Sequence, residues 1–288
     1  MSIIGRLLVA GIGAAAARYA LRQVRTSPAG PGLQRTNFRG RTVTLAAGPA
    51  LAVAAGGAAA GGAASVPAGA ASLLAGLGAG AVGLYDDVVG ARPEQKADKG
   101  FQGHLAALRQ GRVSAGLVKI VGVGAAGLGA ATLLAADPGV AGHRGRRRQG
   151  PWVRGVDVLL GAGVVAGTAN LINLLDLRPG RAAKSALLLG APLTGGRHGG
   201  IAAGAVGAAA GVLPADLNED VMLGDSGANA LGAVLGVALA ARTGPVGRAG
   251  LLAVLAGLTA ASEKVSFTKV IANTPGLREL DALGRRAD

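Results

Sequence analysis

The chain has no cysteine, which excludes a disulfide framework, a thiolate nucleophile and any cysteine-based metal site. Aromatic residues are nearly as scarce. Three Phe, two Tyr and one Trp among 288 residues are too few for the aromatic belts that mark both interfaces of many membrane proteins. Acidic residues number 15 against 29 Lys and Arg, so each carboxylate inside or beside an apolar block stands out. Of the three histidines, His104 is expected on the opposite side of the membrane from His143 and His198, so they form no metal cluster. No Walker loop is present. The many Gly-x-Gly strings lie inside apolar blocks and not between a strand and a helix, where a dinucleotide fingerprint belongs.

What the chain does contain is alanine, glycine and leucine in long runs. Half of the residues are hydrophobic and 52 are glycine. In water that much glycine would destabilise helices by about 1 kcal/mol per residue. In lipid the backbone must satisfy itself, and small residues let helices approach closely. The apolar blocks are close to the ~20 residues that cross a bilayer. They predict an all-α, polytopic membrane protein of about nine transmembrane helices, forming one domain over 1–288. The expected spans are 3–21, 43–63, 67–85, 113–135, 156–175, 183–193, 201–213, 228–241 and 248–262. The first is expected to be a retained anchor, because Arg18 interrupts its end and no clear cleavage site follows. Net charge is +14, but the basic residues lie between blocks and along no single face, which argues against a nucleic-acid partner.

Lys and Arg are concentrated in alternate loops. The positive-inside rule then puts Met1 outside and the tail 263–288 in the cytoplasm, against the local exception of the basic run at 143–148.

Within that topology the acidic residues are ordered. Asp86 and Asp87 close the third span, Asp176 closes the fifth and Asp225 follows the seventh, so all four face one compartment. Carboxylates at helix C-terminal ends oppose the helix dipole, and the adjacent pair repels itself. A divalent cation is the simple way to offset both, since Mg²⁺ takes one or two carboxylates and accepts substrate phosphates in its remaining positions. A solvated turn at Asp86-Asp87 and an N-cap at Asp225 are the bland alternatives. Asn170, Asn173 and Asp176, spaced three apart in NLINLLD, put polar groups along one face of an apolar helix end, a pattern of function or helix pairing. Lys119, two turns into the fourth span, either snorkels to the inner interface or points at a phosphate. Arg35, Asn37, Arg39 and Arg41 are either phosphate contacts or ordinary inner-loop charge.

Taken in order, Asp86-Asp87, NLINLLD at 170–176 and MLGDSGANALG at 222–232 resemble the motifs of the polyprenyl-phosphate N-acetylhexosamine-1-phosphate transferases. That family includes phospho-N-acetylmuramoyl-pentapeptide transferase and the UDP-GlcNAc enzymes that initiate surface polymers. The resemblance spans roughly 35–269. It implies transfer of a sugar-1-phosphate from a UDP-sugar to a membrane polyprenyl phosphate, with release of UMP, at a cytoplasmic Mg²⁺ site, and in many members a homodimer. It makes Asp225 a direct metal ligand, gives Asp86 and Asp87 the metal or the lipid phosphate, and sets Asn170, Asn173 and Asp176 around the nucleotide-sugar.

The chain also departs from the family. Where the family continues into Gly-x-Asp-Gly, this sequence reads Leu177-Arg178-Pro179-Gly180, so a carboxylate gives way to Pro179. The late loop that carries histidines in the family has none here, which leaves Lys269 and Arg278 as substitute phosphate contacts. These departures keep open a non-catalytic binder of polyprenyl phosphate that serves envelope assembly. A transporter or channel is disfavoured, because the ionisable residues inside the spans are few: Arg6, Lys119 and Asp157.

Overall fold

A computed structural model describes residues 1–92, 103, 107, 109–140 and 150–286. His104 and the basic run at 143–148 lie outside the described residues. Among the described residues the chain is all-α apart from one hairpin, and each predicted span coincides with a helix. In chain order these are α1 (Ile3–Thr26), α2 (Ala47–Gly62), α3 (Val66–Tyr85), α4 (Ala115–Ala135), α5 (Pro151–Leu175), α6 (Arg181–Gly190), α7 (Gly199–Leu217), α8 (Gly224–Arg242) and α9 (Pro245–Ser262). The short helices α10 (Phe267–Asn273) and α11 (Leu277–Ala282) follow. Among the described residues, six helices are long and apolar enough to cross a bilayer: α1, α3 with its extension to Gly90, α4, α5, α7 and α9. That is the signature of a multi-pass membrane protein. With 16 and 10 residues, α2 and α6 fall short on length, and the Asp225, Ser226 and Asn229 side chains lower the hydropathy of α8.

Several boundaries move for local reasons. Pro151 and Pro245 take the first helical positions of α5 and α9, where a missing N–H costs nothing, so both helices start earlier than hydropathy alone suggests. The side chains of Ser2, Ser65 and Ser114 accept backbone N–H groups at the starts of α1, α3 and α4. The second predicted span loses its first residues to a hairpin, in which β1 (Gln34–Thr36) pairs antiparallel with β2 (Thr42–Thr44) in the register Arg35↔Val43. Met222 N–H donates to the Thr44 carbonyl at 2.9 Å, fastening the hairpin beside the start of α8.

Helix α8 is the axis of the bundle and is buried from Ser226 to Ala238, with α3 and α5 its main neighbours. Glycine makes the contact with α5 possible. A Cβ on Gly232 would stand 2.6 Å from the Thr168 carbonyl oxygen, and one on Gly236 would stand 2.6 Å from Val165 Cα. Close backbone approach of this kind is what drives association where lipid removes the hydrophobic incentive.

The helices alternate between two ends of the bundle. At one end Arg6, near the start of α1, donates to the Gly196 carbonyl between α6 and α7 at 3.0 Å. The hairpin, the ends of α3, α5 and α7 and the start of α8 gather at the other end. Arg248, which the span boundaries place at the very start of the last span, is buried one turn into α9. Its guanidinium pairs with Asp157 of α5 at 2.6 Å and donates twice to the Ala240 carbonyl of α8.

Candidate functional site

The end of α3 builds the first part of the site. After Tyr85 the helix widens into a π turn, Asp86–Gly90, an irregularity that often marks functional positions. The turn sends the two neighbouring carboxylates in different directions. Asp87 reaches the start of α8, where one carboxylate oxygen accepts the Asp225 N–H at 2.9 Å and the other accepts the Ser226 N–H at 3.0 Å. Helix α8 has no side-chain cap of its own at Leu223, so Asp87 supplies the cap from 138 residues away and places its charge at the positive end of the helix dipole. Gly83 makes this docking possible, because any Cβ there would run into the Asp225 carbonyl.

Asp86 and Asp225 converge on Lys119 of α4. The ammonium lies 2.7 Å from Asp86 and 2.6 Å from Asp225, and about a quarter of the Asp225 and Lys119 side-chain surface is exposed. Two carboxylates thus share a single positive charge. Behind them runs a chain of amides: Asn229 donates to the Asp225 carbonyl at 2.7 Å, and Asn173 donates to Asn229 at 3.4 Å. Asn170 turns instead to Thr259 of α9, at 2.9 Å. Lys119, Asn170, Asn173, Asn229, Thr259 and Glu263 line an open groove of about 490 Å³ together with the apolar Ile120, Val123 and Ala166.

A second, smaller cavity of about 160 Å³ lies between the hairpin and the start of α6, with Asn37, Phe38, Asp176, Arg178, Asp216 and Glu219 on its walls. Burial and the charges of Asp216, Asp225 and Asp87 push the Asp176 carboxyl well above the ordinary carboxylate range. Asp216 is buried and accepts the Gly180 N–H at 3.0 Å. The Arg178 guanidinium lies over the Phe38 ring, 4.2 Å from its centroid, a cation–π contact.

The predicted phosphate contacts are engaged. Arg35 donates to the backbone carbonyls of Gly32, Gln34 and Asp87. Asn37 closes the hairpin turn by accepting the N–H groups of Arg39 and Arg41, and its amide donates to Glu219 at 2.7 Å. Arg39 pairs with the same buried Glu219 at 2.9 Å. Lys269 is exposed on α10 and lines neither cavity. The structure therefore brings Asp86, Asp87, Asp225, Asp176, Lys119, Asn173 and Asn170 to one end, holds Arg35, Asn37 and Arg39 at its edge, and leaves Lys269 aside.

Reasoning from sequence passed over Asp216, Glu219, Asn229, Thr259 and Asp281. Asn229 was within reach, since it lies one turn from Asp225 on the same helix. Asp281 carried no local signal, yet it holds the tail in place. Arg181 grips it with two hydrogen bonds of 2.8 and 2.9 Å, and Arg285 adds a third at 2.6 Å.

At the carboxylate pair itself Asp86 and Asp225 share the Lys119 ammonium, and this bears on a metal. Among the described residues no three Asp, Glu or His side chains form a ready-made metal cage. Mg²⁺ does not require one, since it commonly takes one or two carboxylates and keeps several waters. The hard oxygens of Asp86 and Asp225 fit such an ion, and the Lys119 ammonium between them stands in for a cation. No protein-family model matches the chain, and no curated protein matches it.

Proposed function

We propose that the chain is a nine-helix transferase of the plasma membrane that moves a sugar-1-phosphate from a UDP-sugar to a polyprenyl phosphate for cell-envelope polymer synthesis. In this reading all nine helices cross, Met1 faces outside, and the carboxylate end and the tail face the cytoplasm. The observation that carries the proposal is the Asp86–Lys119–Asp225 bridge, whose lysine lines a groove of mixed apolar and amide side chains. A lipid phosphate needs such a surface: hydrocarbon for the chain and balanced charge for the head.

The reaction balances without redox chemistry. An oxygen of the lipid phosphate attacks the phosphorus attached to the sugar, the bond from that phosphorus to the bridging oxygen breaks, and UMP leaves with that oxygen. A lipid monophosphate is largely dianionic at neutral pH, its second pKa being about 6, so no strong base is required. Asp86 and Asp225 would hold Mg²⁺, which supplies charge neutralisation on the pyrophosphate. Asp87 positions Asp225 through the α8 cap, and Arg35 holds the Asp87 backbone in turn. Asn170, Asn173 and Asp176 present polar groups to the nucleotide-sugar, and Lys119 offers positive charge to a phosphate.

One observation favours a non-catalytic relative that binds polyprenyl phosphate. Arg178 covers Phe38 on the wall of the smaller cavity, next to Pro179. Mg²⁺-dependent UMP release by the purified chain, with polyprenyl phosphate and a panel of UDP-sugars, decides between the two. The expected outcome is turnover that falls roughly 10²-fold or more in Asp225→Asn, the scale of losing one electrostatic contact to a developing charge. Binding of polyprenyl phosphate with no turnover across the panel would establish the binder.

A further inference from the structure

Lys119 has an unusual position for a membrane-helix lysine. It lies within the first two turns of α4, close enough to the bundle end to snorkel into water. Its ammonium turns inward instead and sits between two carboxylates from different helices. Three carboxylates, Asp86, Asp87 and Asp225, meet at this point, and the backbone N–H groups of α8 compensate Asp87 alone. Among the described residues, Lys119 is the cation that Asp86 and Asp225 share. The same lysine also lines the 490 Å³ groove together with Asn170, Asn173 and Glu263, so a released ammonium has polar partners and room on its open side.

Resting on the metal reading of this site, we infer that Lys119 is a tethered counter-ion that holds the Asp86–Asp225 position in the resting protein and is displaced into the groove when a divalent cation binds. The lysine and the metal then compete for the same two carboxylates. Displacement turns a stabilising charge into a mobile one, carried to where a phosphate lies. Lys119 in this role is a positioning residue. The arrangement keeps Asp86 and Asp225 from repelling each other while the metal is absent, and it sets a threshold of cation concentration for arming the site.

The test uses the full chain in detergent with Mn²⁺ as the probe. Free Mn²⁺ is read by electron paramagnetic resonance for wild type, Lys119→Met, Lys119→Arg and Asp225→Asn. Removing the competitor is expected to tighten Mn²⁺ binding about tenfold, within the usual range of coupling between two ligands. Lys119→Arg stays near wild type, and Asp225→Asn loses binding. A second measurement needs no variant: acylation of Lys119, followed by peptide mass spectrometry, is expected to accelerate severalfold when Mn²⁺ is added. This decides the matter should Lys119→Met fail to fold. Unchanged or weaker Mn²⁺ binding in Lys119→Met, or acylation indifferent to Mn²⁺, overturns the counter-ion role while leaving the metal site standing. No Mn²⁺ uptake by any form overturns the metal reading itself and the inference with it.

Discussion

Two ionic centres lie inside this bundle, at opposite ends, and they are built differently. Asp157 and Arg248 form an ion pair that is almost wholly buried, and further Arg248 donors are taken up by the Ala240 carbonyl. Asp86, Asp225 and Lys119 are unequal in number, partly exposed and open to a groove. The first centre is buried: Asp157 of α5 pairs directly with Arg248 of α9, and α8 accepts further Arg248 donors. The second is satisfied only in part, and its surplus of negative charge faces a space that a ligand can enter. Membrane interiors tolerate charge for structure or for function, and burial against openness distinguishes the two here.

The largest effect is expected from breaking the buried pair. Asp157→Ala strands the Arg248 guanidinium away from water, at a cost of about 3–5 kcal/mol. Replacing both residues by leucine is expected to recover most of that loss, which thermal unfolding in detergent measures directly. If the double variant is as unstable as the single, the centre does more than balance charge. At the open end, Asp225→Asn is expected to leave stability nearly unchanged while removing activity, the reverse of the Asp157 pattern.

Asp281 gives an intermediate case, balanced by Arg181 and Arg285 but at the site end. Burial alone would raise its carboxyl, but the hydrogen bonds and charge of Arg181, with those of Arg285, hold it below the ordinary carboxylate value. A depressed folded pKa contributes stability that is present above about pH 4 and is lost as pH falls through the folded value. Limited proteolysis is therefore expected to release the tail only in acid, and at neutral pH in Asp281→Asn. Losing the charged hydrogen bonds costs about 1.5–3 kcal/mol. The smallest effect belongs to Asp87→Ala, which removes the cap of α8 at about 0.5–2 kcal/mol. Hydrogen exchange at Asp225 and Ser226 would register it, and unchanged protection there would show that α8 holds its first turn without help.

The pattern of predictions also shows what a sequence of this kind discloses. Nine apolar blocks predicted nine helices, because alanine and glycine runs have little else to do than pack. Asp86, Asp87, Asp176 and Asp225 were conspicuous for being acidic in an acid-poor chain. What stayed hidden depends on contacts between distant segments. Nothing local distinguishes Asp87, a cap for a helix far along the chain, from Asp86, a partner of lysine. The hairpin at 34–44 was hidden by its brevity and by its anchor at Met222. Arg35, Asn37 and Arg39 were recognised as a group, but whether they were free to bind phosphate depended on Glu219 and the Asp87 carbonyl.

The cap that Asp87 provides has a consequence for how the chain is made. Its carboxylate leaves the ribosome 138 residues before the amides it will bind. At about 5–20 residues per second, that is a wait of roughly seven to twenty-eight seconds. Throughout that interval the end of α3 is incomplete, with two adjacent carboxylates and no partner from α8. Insertion of α8 then closes the bundle axis and assembles the carboxylate cluster in one event. The site comes into being only once α8 has been made, so a chain stalled before it, with seven helices in place, still has no place for a cation to bind.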